Sequence, residues 1–361
     1  MSSDVTSSVF PTVDVHAHAW LPEVESLVKG RPEYAAHADL EELRAGGESI
    51  EVSKRRFGER WERLTDVHTR IEVMAAAQVN VQVVSVSPTQ YHSWADSALA
   101  WDLAQTTNEG IRAHCAVYSD RLCGLGVAPL RHPAVAVAAL EHAVGCGLRG
   151  VEISSHVPYR LGGGTIELSD PGLDPLWKRA EELDAVVFLH PWGCTLDARL
   201  DRWYLSNSVG QPVEHAVALS HLIFGGVLDR FPRLRLLAAH GGGYLPAFLG
   251  RNDHAWRNRP EAKGCRQLPS TYLQRIWFDS LVHTPESLRA LVRAAGPNRV
   301  VLGSDYPFDM GVEDPVQRLQ EAVSDPVTAA AIKGGNAANL NLLPASRRTG
   351  RRLESPAPGH W

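Results

Sequence analysis

Short apolar runs rich in β-branched residues recur along the chain, separated by longer stretches of helical period. Residues 12–15, 79–86, 122–127, 148–153, 185–189, 234–239, 276–279 and 300–302 predict eight strands. Helical period appears at 68–77, with Ile71, Met74 and Ala75 at i, i+3, i+4, and again at 133–144 and 175–183. A fourth helix is predicted over 285–295, with Leu288, Leu291 and Val292 on one face. Strands alternating with helices imply βα units and a parallel sheet, and eight of them predict an α/β fold of the closed (β/α)8 TIM-barrel type. The rival, an open doubly wound sheet, calls for a glycine-rich phosphate loop. Neither GxGxxG nor GxxxxGK[ST] occurs.

Three segments fall outside that rhythm. Residues 21–59 intervene between the first strand and the first outer helix and are rich in charge and glycine, which reads as a lid or small subdomain over the barrel mouth. Residues 252–272 are polar, contain Trp256 and Arg257, and read as a second insertion. Residues 345–361 are polar, with four arginines, and read as a disordered tail beyond a barrel domain spanning 12–343.

Composition narrows the function classes. The 361 residues are 44% hydrophobic with 10 Trp, 8 Tyr and 8 Phe, enough for a large core and unlike a disordered chain. A net charge of −5 offers no excess positive charge for nucleic acid or anionic membrane. No apolar run reaches the roughly 18 residues of a membrane span, and the first nine residues lack the basic and apolar regions of a secretory signal. The five cysteines are scattered, odd in number and without a CxxC pair, so a reduced, cytoplasmic protein is expected.

Candidate chemistry gathers at the strand ends. The first predicted strand leads into His16-Ala17-His18, and alternation puts both imidazoles on one side. The fifth ends in His190, followed by Pro191-Trp192, the sixth in His240 followed by three glycines, and the eighth runs into Gly303-Ser304-Asp305. In a barrel these ends share one mouth, where catalytic residues collect. Imidazoles with one carboxylate suit a borderline divalent ion with an open position for water. Each residue has a plainer reading alone. HxH is a weak signal among 16 histidines, His190 could be a core histidine, and Asp305 could cap a helix. HGGG is also an esterase oxyanion sequence, but no GxSxG elbow accompanies it, and HExxH is absent. The joint pattern across four strands is the informative one.

The stretches VDVHAH (13–18), VEISSHV (151–157), FLHPWG (188–193), AAHGGGYLPAFLGR (238–251), FDSLVHTPESL (278–288), VLGSDYPFDMG (301–311) and GNAANLNL (335–342) resemble the metal-dependent amidohydrolase superfamily. Within it they resemble the branch of 2-amino-3-carboxymuconate-6-semialdehyde decarboxylase and related non-oxidative decarboxylases. The resemblance implies an amidohydrolase-type barrel with His16, His18, His190 and Asp305 as ligands of a divalent metal, zinc first, with manganese or cobalt accepted by the same set. It implies His240 as an unliganded catalytic histidine and Asp305 as a second catalytic group. Arg251 would reach a substrate carboxylate across a homodimer interface, and Trp192 and Phe308 would line the pocket. Two positions depart from the family pattern. Gly193 stands where HPWD has its aspartate, followed by Cys194, and Gly58 falls where a second arginine belongs, with Arg56 or Arg60 as the replacement.

The expected activity is therefore decarboxylation of a small unsaturated or aromatic carboxylic acid. A metal-dependent hydrolase or hydratase of a small ester, lactone, amide or unsaturated acid is the alternative, and a metal-binding protein without catalysis is a further one. CO2 release discriminates between the first two, and metal retention tests the third.

Overall fold

The computed structural model describes residues 10–158 and 165–347. Its strands are β1 (Val13–Ala19), β2 (Val81–Val86), β3 (Leu122–Gly124), β4 (Gly126–Val127), β5 (Gly150–Ile153), β6 (His156–Pro158), β7 (Thr165–Glu167), β8 (Val186–Leu189), β9 (Arg235–Ala238), β10 (Ile276–Asp279) and β11 (Val300–Val301). Parallel pairing runs β1-β2-β3 and β4-β5-β8-β9-β10-β11. β3 and β4 are two parts of one stave, and Leu125 between them donates to Val84 O at 2.9 Å. Closure lies just past β11. Val15 N donates to Leu302 O (2.9 Å), Asp305 N to His16 O (2.8 Å) and His18 N to Tyr306 O (2.7 Å), with a parallel bridge Ala17–Tyr306. The eight predicted strands are thus the eight staves of a (β/α)8 barrel.

Alternate strand residues face two cores. Val13, Val15, Val81, Val83, Val186, Phe188, Leu237 and Val301 fill the interior, joined by Leu340, Leu342 and Leu343 from the closing segment. The opposite parity, including Val84, Val151, Val187, Leu236 and Phe278, packs under the helices. β1 carries an irregularity between Asp14 and Ala17, where three residue steps oppose two on β2. Strict alternation after Val13 and Val15 would turn His16 and His18 toward the helices. The extra residue reverses the parity, so His18 pairs with inward Ser85 and both imidazoles enter the barrel.

The predicted outer helices appear as Val67–Ala76, Pro133–Gly145, Asp174–Glu182 and Pro285–Ala295. Others were not anticipated. Ser97–Ala116 buries a face of Leu, Ala, Thr and Asn whose small and polar members blur the apolar period, and the Asp96 side chain caps it by accepting from Leu99 N at 2.9 Å. Gln211–Phe224 was missed too, as was the antiparallel β6–β7 hairpin.

Two expectations are corrected. Residues 252–258 are not insertion but the last turns of the helix Leu245–Asn258, continued by 3₁₀ turns Pro260–Ala262 and Pro269–Arg275. The expected tail starts later than 345, because Ala345–Arg347 forms a turn and Arg347 Nε donates to Asp120 O at 2.8 Å. Residues 348–361 of that tail, and the first nine residues, lie outside the described residues. The segment 21–59 is helical throughout most of its length: Pro22–Val28, Pro32–Ala45 and Gly47–Glu59. Each of the first two begins with proline, whose fixed φ and missing N–H suit the first helical position.

Candidate metal centre and active site

Three imidazoles and one carboxylate converge where the staves end. Candidate ligand atoms of His16, His18, His190 and Asp305 all lie within 4.8 Å of one another, and all four residues are buried. The Nε2 atoms of His16 and His18 are 3.1 Å apart, and Asp305 Oδ1 stands 3.3 and 3.2 Å from them.

Each imidazole is oriented through its other nitrogen. His16 Nδ1 meets Asp279 Oδ2 at 2.6 Å, His18 Nδ1 meets Val86 O at 3.1 Å, and His190 Nδ1 meets Pro191 O at 3.0 Å. With Nδ1 donating, a neutral ring keeps its lone pair at Nε2, aimed at the common centre, which is how metal-ligating histidines are held. His190 Nε2 and Asp305 Oδ1 are buried and make no hydrogen bond. Orphaned buried polar atoms are rare in folded proteins, and two that face one centre fit a cation between them. Three nitrogens and one oxygen are suitable donors for a divalent first-row metal.

Electrostatics agree. Burial, with the neighbouring His240, His18 and His16 adding to it, pushes His190 well below its ordinary pKa, and burial likewise lowers His18. Both are neutral and ready to ligate. Burial works against a charged His16, but Asp305 and Asp279 outweigh it and raise this residue to about 10. Burial would raise Asp305, yet the charge on His16 holds the carboxyl well below its usual range. Beside them Glu152 accepts from Tyr91 Oη at 2.8 Å, and burial lifts it to about 8.

His240 stands next to the cluster but outside it. Its Nε2 is 3.7 Å from Asp305 Oδ2, and its ring centroid is 4.9 Å from that of His190. Both His240 (φ 50°) and Asp305 (φ 59°) adopt the left-handed region, a strained choice for residues bearing a Cβ. Asp279 holds the first of them by accepting from His240 N (3.0 Å) and Gly241 N (2.8 Å) as well as from His16. One carboxylate thus ties β1, β10 and the loop after β9 together. Its signal in the sequence was a lone acid closing a strand, and its role was not anticipated.

A cavity of about 360 Å³ opens over the centre. His190, His240 and Asp305 form its floor, Trp20, Phe57, Trp192 and Phe308 contribute aromatic walls, and Lys54, Arg56 and Arg60 bring positive charge. Phe308 lies 5.3 Å from the His18 ring, centroid to centroid. Arg56 pairs with Glu59 at 3.2 Å, and Arg60 donates to Arg56 O at 3.2 Å. The inserted helix Gly47–Glu59 therefore does reach the mouth.

Gly193 does not line that cavity. At its φ of 74° a Cβ would come 3.0 Å from Arg44 Nη1, the buried arginine of the inserted helix Pro32–Ala45. Arg44 pairs there with Asp197 at 3.0 Å. The absence of a side chain at 193 thus bears on how the insertion docks rather than on the cavity wall. Arg251 is not brought to the centre. It lies exposed on the helix Leu245–Asn258, outside the cavity.

Comparison with known proteins gives a consistent neighbourhood. Residues 13–340 match the family model described as Amidohydrolase. A 2-amino-3-carboxymuconate-6-semialdehyde decarboxylase from Dictyostelium discoideum is 33% identical over 332 residues, covering 90% of each chain. Its counterpart from Caenorhabditis elegans is 31% identical over 346 residues, covering 83% of this chain and 86% of that one. The solved 5-carboxyvanillate decarboxylase of Novosphingobium aromaticivorans, complexed with manganese and 4-hydroxy-3-methoxy-5-nitrobenzoic acid, superposes with a TM-score of 0.79. It is 21% identical and covers 95% of this chain and 100% of that one.

Proposed function

The chain belongs to the amidohydrolase family, and from that premise we propose that it is a metal-dependent, non-oxidative decarboxylase of a small unsaturated or aromatic carboxylic acid. The observation that carries this is the unliganded His240 beside four convergent ligand atoms, on the floor of an aromatic-walled cavity with cations. The relatives that share most of the chain's length are decarboxylases by name.

His16, His18, His190 and Asp305 would hold the metal. A divalent metal held there would supply Lewis acidity at the cavity floor. The native ion is proposed to be zinc, with manganese and cobalt as ions the same donors accept. His240 exchanges a proton at Nε2, the nitrogen facing Asp305, and delivers it to the carbon that loses CO2. Trp192 and Phe308 hold a planar substrate between apolar surfaces. Arg56 or Arg60 pairs with its carboxylate by charge-assisted hydrogen bonds. The catalytic unit spans 12–343, with 21–59 as the insertion that contributes to the mouth.

Arg251 is assigned to a second copy's substrate carboxylate in a homodimer. Tyr244, Phe248 and Arg251 recur at i, i+4 and i+7 and are all exposed, 41% and 69% for the aromatics. Such an apolar strip ending in a cation fits a covered face. Sedimentation should give a dimer that Phe248→Glu dissociates. A monomeric wild type would remove Arg251 from the site. Five cysteines in no disulfide, four of them buried, fit a reducing, cytoplasmic setting. No helix of the described residues is long and apolar enough to cross a membrane.

The test is an absorbance-decay assay of zinc-loaded protein on freshly generated 2-amino-3-carboxymuconate-6-semialdehyde, with CO2 detection, followed by a panel of aromatic carboxylates. Stoichiometric CO2, abolished by His240→Ala, is expected from one of them. Turnover of esters, lactones or unsaturated acids without CO2 would replace the decarboxylase with the hydrolase or hydratase reading.

A further inference from the structure

His240 has two ring nitrogens, and the structure gives each a different neighbour. Nε2 faces Asp305 at 3.7 Å, and Nδ1 faces Nε2 of His215 at 3.3 Å. His215 is fully buried, on the helix Gln211–Phe224, and its own Nδ1 has no partner. The contact to His240 is therefore its one side-chain hydrogen bond among the described residues. Burial, with His240 and His16 adding to it, keeps this imidazole well below its ordinary pKa and so neutral.

The helix holding His215 is anchored beside it. Glu214 accepts from Thr195 N at 2.9 Å and pairs with His156 Nδ1 at 2.9 Å. The loop holding His240 comes close because Gly243 has no side chain. A Cβ there would stand 2.4 Å from Pro212 O and 2.8 Å from His215 Cβ. Both partners of the imidazole pair are thus fixed by their own elements.

We infer that His215 is a positioning residue, which holds the His240 ring with Nδ1 occupied so that Nε2 is the nitrogen exchanging protons at the metal centre. The inference rests on the reading of His240 as the acid–base group. Rotation of an imidazole about χ2 has a broad, roughly two-fold profile, and a half turn exchanges nitrogen for carbon at each edge. Only the orientation with a nitrogen toward His215 keeps this hydrogen bond. A neutral imidazole has one donor and one acceptor nitrogen. Two neutral rings joined nitrogen to nitrogen therefore have linked tautomers: one donates, the other accepts. A half-turned His240 would present carbon where proton transfer requires nitrogen. Misplacement on that scale costs on the order of 100-fold in rate. Sequence reading alone had no signal for His215, because a histidine inside a helix is ordinarily a core or surface residue.

The experiment has a spectroscopic and a kinetic arm on zinc-loaded protein. In the first, histidine-selective ¹⁵N labelling reads the His240 ring at alkaline pH without substrate, with the His240→Gln protein assigning its resonances. Wild type should show one fixed tautomer, and His215→Leu an averaged mixture at unchanged zinc content. In the second, His215→Leu should lower kcat about 10- to 100-fold with KM nearly unchanged. His215→Gln, whose amide reaches the place of the imidazole Nε2, should restore most of kcat. Unchanged His240 resonances in His215→Leu would overturn the inference, as would equal kcat losses in the Leu and Gln variants. The spectroscopic arm stands whichever reaction the site performs, so a failed decarboxylase assay and a failed positioning role remain distinguishable.

Discussion

At the residue scale, the site is a set of imidazoles each given a direction. His16, His18 and His190 are tied at Nδ1 and turn Nε2 to a common centre, as the proposed ligands require, whereas His240 meets another imidazole at Nδ1, as suits its proposed part in proton transfer. The two kinds should separate on mutation. Asp305→Asn is expected to lose metal and turnover together, and His240→Gln to keep metal while kcat falls on the order of 100- to 10,000-fold; metal analysis beside kinetics checks both. His16 gives a second prediction. Its pKa of about 10 in the apoprotein means that it carries a proton through the neutral range, and a ligand has to lose it. Metal affinity should therefore rise about tenfold per pH unit below that value, with proton release visible by calorimetry in buffers of different ionisation enthalpy. An affinity flat from acid to neutral pH would contradict the charged His16. The convergence of His16, His18, His190 and Asp305, with His240 beside them, was legible in the sequence because each closes or follows a predicted strand. Asp279, Glu152 and His215 were not, because what each does depends on an atom many residues away.

At the element scale, the strands were legible and several connecting elements were not. Eight runs of β-branched residues match the staves to within a few residues because a strand buried on both faces has to be apolar over its whole length. Helices need only one stripe, and where that stripe is built from Ala, Thr and Asn, as in Ser97–Ala116, it does not stand out. The loop after β9 shows how elements constrain one another. Gly243 has φ 62°, and its Cα lies against the turn entering Gln211–Phe224. Gly243→Ala would combine left-handed strain with a collision against backbone, and should destabilise the fold by about 2–4 kcal/mol, as measured by urea unfolding. A similar alanine at Gly58, where an added Cβ would meet nothing beyond its own helix within 4 Å, should be neutral or slightly stabilising. The inserted helices show the same division. Their existence near the mouth could be expected from their position in the chain, but the docking of Arg44 beside Gly193 could not, since it joins a helix and a loop more than a hundred residues apart.

At the scale of the whole molecule, one closed sheet joins these parts, and its stability carries a pH signature. Burial, reinforced by Arg70, lowers His114 to about 3, and burial lowers His37 to about 4. Both pKa values are depressed on folding, so the folded state favours the neutral rings. Their contribution is fully present above about 6.5, the ordinary histidine value, and is lost as pH falls through the folded values. The melting temperature should accordingly drop as the pH is lowered from about 6.5 toward 4, and less steeply in His114→Gln. By itself the sequence determined the number and order of the staves, the barrel class and the strand-end positions of the proposed metal donors, because hydrophobic periodicity and strand-end chemistry are local properties. Only the tertiary structure decided which way those donors point. The extra residue in β1 turns His16 and His18 inward, the pairing of β1 with the segment after β11 brings Asp305 to them, and the glycine loop lets His215 meet His240. Each of these is a register or a close approach between distant segments, set by closure of the sheet rather than by any local pattern.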